Sequence, residues 1–148
     1  KKMSAKIILV AFEIIINVLR DAGWEDEELL VVHGIAEDTA FSFANYNGDC
    51  LQFMGSNPSG HPLTVIVNSL VNALYMRYCY ILLNPAKEAT SFKENVSLLT
   101  YGDDNVMGSK QDWFNHTAIV AELANIGVEY TMADKESKSV PFIHIDDV

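Results

Sequence analysis

Residues 97–108 read SLLTYGDDNVMG, two short apolar runs on either side of Tyr101-Gly102-Asp103-Asp104. The runs predict the strands of a β-hairpin, and glycine beside aspartate is turn chemistry. Adjacent carboxylates repel one another, and desolvating them costs free energy unless a positive group lies beside them. The pair therefore either sits on a solvated turn or holds a cation. A divalent ion such as Mg²⁺ suits the second reading, because it is commonly bound through one or two carboxylates plus substrate phosphates. A calcium loop beginning at Asp103 does not fit, since Met107 and Phe114 would fall at its fifth and twelfth positions, where oxygen ligands are required.

Upstream of this hairpin lies SNPSGHPLTVIVNSLVNALYMRYCYILLN, from Ser56 to Asn84. Pro58, Gly60 and Pro62 make its start a turn, and from Leu63 the pattern predicts one long apolar helix ending near Asn84 and Pro85. Thr64 and Asn68 are four apart, so their polar tips share one face of that helix near its N-terminus. An N-cap and a satisfied polar pair in the core would explain them. Taken with Ser59, Gly60 and Ser69 and the carboxylate hairpin downstream, they also suit a surface that hydrogen-bonds a hydroxylated ligand.

The remaining elements follow from periodicity. Ile7, Ile8, Ala11, Ile14, Ile15, Val18 and Leu19 recur at helical spacing between Met3 and Arg20, with Gly23 as a stop. A second helix is expected over residues 25–39, opened by the acidic run EDEE, which complements a helix dipole. FSFANY and DCLQFM flank Asn47-Gly48, a strong hairpin signal. HTAIVAELANIG predicts an amphipathic helix closed by Gly127, and VEYTM an edge strand. Helices alternating with antiparallel hairpins indicate an α+β fold with helices on one face of a sheet.

Composition sets the bounds. With 148 residues, 49% of them apolar and 20% charged, the chain can bury a core as one domain. The apolar run Ile7–Leu19 is too short to span a bilayer, and no signal-peptide pattern marks the start. Cys50 and Cys79 form no CxxC pair, so a reducing setting is expected. The formal charge of −10 opposes a self-sufficient nucleic-acid binder, which normally carries excess Lys and Arg.

PSGHPLTVIVNS, then YGDD, then YTMADK resemble, in order, motifs B, C and D of the palm of viral RNA-dependent RNA polymerases, closest to the picorna-like positive-strand group. The resemblance covers essentially the whole chain, and Ser59, Gly60, Thr64, Asn68 and Ser69 fill the motif B pattern; Pro62-Leu63 replaces a small Ser-Gly pair found in many relatives. It implies a partial palm over residues 1–148, with an antiparallel sheet and helices packed on one face. It further implies RNA-templated RNA synthesis from ribonucleoside triphosphates by a two-metal mechanism. Asp103 would be the principal Mg²⁺ ligand, with Asp104 auxiliary and Mn²⁺ as an alternative ion. Gly102 gives the turn room and Tyr101 packs beside it. Ser59 and Gly60 belong to a loop that senses the incoming nucleotide. Asn68, helped by Thr64, reads the ribose 2′-OH. Lys135 matches the lysine that protonates pyrophosphate. The partners implied are template and product RNA, the triphosphates and the rest of a viral polyprotein, in a replication complex in the host cytoplasm.

Departures from the family pattern are equally specific. Motif A, a strand carrying an indispensable aspartate, is missing: Asp21 and Asp26 have nearly its spacing but fall in a polar loop between two helices. The basic fingers and the thumb are also missing, so the charge of −10 describes a fragment, which is expected to be inactive alone. A reverse transcriptase shares the palm and a YxDD turn but normally has a bulkier residue at Gly102; a non-catalytic module that holds a divalent ion is the other alternative. His33, His61, His116 and His144 lack metal-site spacing. The sequons at Asn95 and Asn115 have no secretory context, and the tryptophans and tyrosines read as packing.

Overall fold

The computed structural model describes residues 3–57, 60 and 62–147. Helices α1 (Ala5–Asp21) and α2 (Asp26–Ala40) precede the strands β1 (Phe43–Tyr46) and β2 (Asp49–Gln52). Helix α3 (Thr64–Leu83) is followed by the short α4 (Phe92–Asn95), strands β3 (Val96–Tyr101) and β4 (Asp104–Ser109), and α5 (His116–Asn125). The chain forms two compact units: one comprises residues up to Asn72 together with Tyr101–Asp104, the other Ala73–Thr100 together with the residues from Asn105 onward. The α+β class expected from sequence is the one observed.

In the first unit, Ser4 caps α1 by accepting a hydrogen bond from the Lys6 amide at 3.2 Å. Ile8, Ala11, Phe12 and Ile16 form the buried face of α1, while Val18 is 62% exposed. The expected stripe was therefore rotated. Apolarity all round the helix conceals the face, whereas the polar positions Lys6, Glu13, Asn17 and Arg20 mark its solvent side. Helix α2 packs against α1 and buries Leu29, Ala36 and Ala40; its start is fixed by the Glu25 amide donating to the Glu28 carboxylate.

Strands β1 and β2 pair antiparallel, with Phe43 opposite Gln52 and Tyr46 opposite Asp49, and the Asn47-Gly48 turn is tied by the Gly48 amide to Asn45 Oδ1. The strap that follows is anchored by its backbone. Gly55 N donates to Ala40 O and Ser56 N to Met3 O, at 2.8 and 2.9 Å. Gly55 has φ +87°, and a Cβ there would lie 2.0 Å from Met3 O. Only glycine satisfies both the dihedral and the approach.

In the second unit the core gathers around Tyr80. Its ring meets Phe92, Trp113 and Phe114 at centroid distances of 5.0–5.2 Å, with Met76, Cys79, Val96, Ile119 and Leu123 completing the cluster. Burial pushes the Cys79 thiol up to about 12. The Tyr80 hydroxyl accepts from Asn95 Nδ2 and shares a hydrogen bond with Ser91, each at 2.9 Å. Asn95 and Asn115, the two sequon asparagines, are thus structural, Asn115 capping α5 through the Ala118 amide. By length and apolarity α3 would suffice to cross a membrane, yet it carries Asn68, Asn72 and Arg77, and its buried side chains belong to the cores of the units.

Two expectations are corrected. Among the described residues the strands form two two-stranded antiparallel ladders rather than a single sheet with helices on one face. Each hairpin closes on itself through a two-residue turn, which satisfies one edge of each strand locally. VEYTM is not a strand either. It is held by side chains, Tyr130 donating to Asn105 Oδ1 at 2.8 Å and stacking on His116, with no ladder partner needed.

Candidate active site

The carboxylate hairpin turns through Gly102 and Asp103, with Tyr101 and Asp104 as the flanking strand ends. Gly102 adopts φ +59°, the glycine position at the start of a type II′ hairpin turn, which matches the twist of the strands it joins. Gly102 is buried, whereas Asp103 and Asp104 are exposed. The turn thus has two sides: a backbone side pressed inward and a carboxylate side facing solvent. Tyr101 is 74% exposed, so its ring does not pack beside the turn within the chain, contrary to expectation.

Helix α3 supplies the backing. Ser69 Oγ donates to Val65 O at 2.7 Å and accepts the Gly102 amide at 2.8 Å. One turn further on, the side-chain amide of Asn72 donates to Asp104 O at 3.1 Å and to Gly102 O at 3.4 Å. Two residues of one helical face therefore hold both polar backbone groups of Gly102.

At the start of α3 a single nitrogen, Asn57 Nδ2, donates to Asn68 Oδ1 at 3.0 Å and to the backbone carbonyl of Thr64 at 3.4 Å. Gly60 is exposed with φ +88°. Ser59 and His61 lie outside the described residues. Lys135 belongs to the second unit, exposed in a turn where its amide donates to Met132 O at 2.9 Å and its φ is +63°. Asp21 and Asp26 end α1 and begin α2, exposed, as a loop between helices requires.

Among the described residues, no three His, Cys, Asp or Glu side chains converge. Two exposed carboxylates on a turn anchored by its backbone fit a hard cation that takes its other ligands from elsewhere, as Mg²⁺ does from water and phosphates. Asn57 and Asn72 escaped the sequence reading. Asn72 had a signal: it continues the face of Asn68 and Ser69 by one turn, a polar side chain among Val71, Ala73 and Leu74. Asn57, in a turn among other polar residues, had none.

An α+β chain whose Gly-Asp-Asp hairpin is backed by a polar helical stripe has the features of a polymerase palm. The family model for viral RNA-dependent RNA polymerase matches residues 1–147, and the chain belongs to that family. It is 34% identical to the replicase polyprotein of Cricket paralysis virus over 142 residues, covering 89% of this chain and 8% of that protein. It is 31% identical to the replicase polyprotein of Drosophila C virus over 81% of this chain and 7% of that protein. The RNA1 polyprotein of Arabis mosaic virus is 45% identical over 58% of this chain and 4% of that protein. The chain thus spans less than a tenth of the length of the curated relatives it matches. Family membership separates it from the reverse transcriptases that share a YxDD turn.

Proposed function

We propose that this segment contributes the carboxylate turn and the nucleotide-sensing helix to a viral polymerase that copies RNA from ribonucleoside triphosphates, in a replication complex in the host cytoplasm. The observation that carries the reading is the Gly102–Asp104 turn, held by its backbone to Ser69 and Asn72 while its carboxylates face solvent. Preorganised carboxylates are what phosphoryl-type transfer asks of a protein, since its catalysis is mostly positioning and electrostatic stabilisation.

In this reading Asp103 is the principal ligand of Mg²⁺, or of Mn²⁺ in its place, and Asp104 an auxiliary one. Such an ion supplies positive charge for the attacking 3′-oxygen and the departing pyrophosphate. Asn68 hydrogen-bonds the ribose 2′-OH of the incoming nucleotide, with Thr64 and the Asn57 contact holding its face of the helix. Ser59 and Gly60 form the loop at the nucleotide, Ser69 ties that helix to the turn, and Lys135 donates a proton to pyrophosphate. The ligand set needs a further carboxylate from the remainder of the polyprotein, as do the basic surfaces that guide template and product RNA.

Templated incorporation of labelled ribonucleotides by the full polymerase containing this segment tests the reading, with deoxyribonucleotides as competitors. Asn68→Ala should weaken the preference for ribonucleotides while synthesis continues; an unchanged preference refutes the 2′-OH assignment. The 148-residue chain by itself is expected to extend no primer and to bind Mn²⁺ weakly. Tight binding of the ion by the isolated chain, without synthesis by the full protein, would instead indicate a non-catalytic metal-binding module.

A further inference from the structure

We infer that Asn72 is the positioning residue of the metal-binding turn: its side-chain amide clamps the carbonyls on either side of Asp103 and so fixes where the two carboxylates stand. The inference rests on the polymerase reading of that turn. Asn72 is 7% exposed and lies three residues beyond Ser69 on an otherwise apolar stretch of helix. A buried amide there is costly unless its donors are matched. They are matched by Gly102 O at 3.4 Å and Asp104 O at 3.1 Å, the carbonyls that bracket Asp103.

The chemistry of the side chain is specific. An amide NH₂ offers two donors, which is what two neighbouring carbonyls require. Aspartate has the same shape but presents only acceptors when ionised, and would face those carbonyls oxygen to oxygen. Leucine fills similar space and donates nothing. Because Ser69 already holds the Gly102 amide, Asn72 removes the remaining freedom of the turn to pivot about that bond. Residues that orient metal ligands without touching the ion typically alter affinity or activity by about 10–100-fold when replaced.

The test uses the full polymerase containing this segment, with Asn72→Asp, Asn72→Ala and Asn72→Ser measured beside Asp103→Ala. Mn²⁺ affinity is read by calorimetry, the Mg²⁺ concentration for half-maximal synthesis by titration, and the KM for ribonucleotide at saturating Mg²⁺ by kinetics. Weakening of Mn²⁺ affinity by about 10-fold or more is expected for Asn72→Asp and Asn72→Ala, with a parallel rise in the Mg²⁺ requirement and an unchanged nucleotide KM. Loss of general structure would move all three quantities together, and Asn72→Ser, the mildest change, decides the matter where the others fail to fold. Unchanged Mn²⁺ affinity in folded Asn72 variants, while Asp103→Ala abolishes binding, overturns this inference alone. Retained Mn²⁺ binding in Asp103→Ala overturns the polymerase reading of the turn and this inference with it.

Discussion

Ser69 Oγ accepts the backbone amide of Gly102 at 2.8 Å across 33 positions of sequence. This bond joins helix α3 to the turn that carries the carboxylates. Ser69→Ala removes the acceptor and leaves a buried N–H unpaired, at a cost of about 1–3 kcal/mol. Amide exchange at Gly102 should accelerate in Ser69→Ala and be restored in Ser69→Thr. Unchanged exchange would show that the turn is held without this bond.

Gly55 and Gly34 make opposite predictions for the same substitution. Alanine at Gly55 must adopt a φ of +87° and place Cβ against Met3 O, so Gly55→Ala should destabilise by at least about 2 kcal/mol. Gly34 lies inside α2 with open space around a Cβ, so Gly34→Ala should stabilise by about 0.5–1 kcal/mol. Denaturant melts of the two variants check both signs.

Much of this architecture was legible in the sequence because the signals were local. Asn47-Gly48 and Gly102-Asp103 marked both hairpins, and Pro62 and Pro85 bracketed α3. The faces of the helices were harder to read. Helix α1 is apolar on nearly every side, so Phe12 and Ile16 were missed and Val18 was placed inward. VEYTM resembles a strand by composition, yet the hydrogen bond of Tyr130 to Asn105 and its stacking on His116 place it by tertiary contact. The acids of the candidate site were visible as a motif. Their support by Asn72 was not, because it depends on residues 30 and 32 positions apart meeting in space.

Tyr80 tests the second core. Tyr80→Phe preserves the aromatic contacts but removes the oxygen that accepts from Asn95 Nδ2 and bonds Ser91. A loss of about 1–3 kcal/mol is expected, with the ring cluster intact by near-ultraviolet circular dichroism. Tyr80→Ala, which also removes the ring packed on Phe92, Trp113 and Phe114, should cost more, about 3–5 kcal/mol or beyond. Equal losses in the two variants would contradict the role given to the ring.

Glu88 predicts a pH dependence. Hydrogen bonds from Ser91 and Thr90 hold its carboxyl down from the usual 4.5 to about 2. A carboxyl whose pKa is lower folded than unfolded stabilises the fold fully above about 4.5, and that contribution is lost as pH falls toward about 2. Glu88→Gln should therefore flatten part of the decline in stability between these values. A carbon-detected NMR titration placing Glu88 near 4.5 would contradict the assignment.

Asp103 is the residue on which the proposed metal chemistry turns. The decisive measurement is templated incorporation of labelled ribonucleotides by the full polymerase containing this segment, comparing the natural residue with Asp103→Ala in protein confirmed to be folded. Synthesis by the natural protein and its loss to background in the variant are expected at every Mg²⁺ concentration. Sustained synthesis by Asp103→Ala would contradict the assignment of this turn to the catalytic centre.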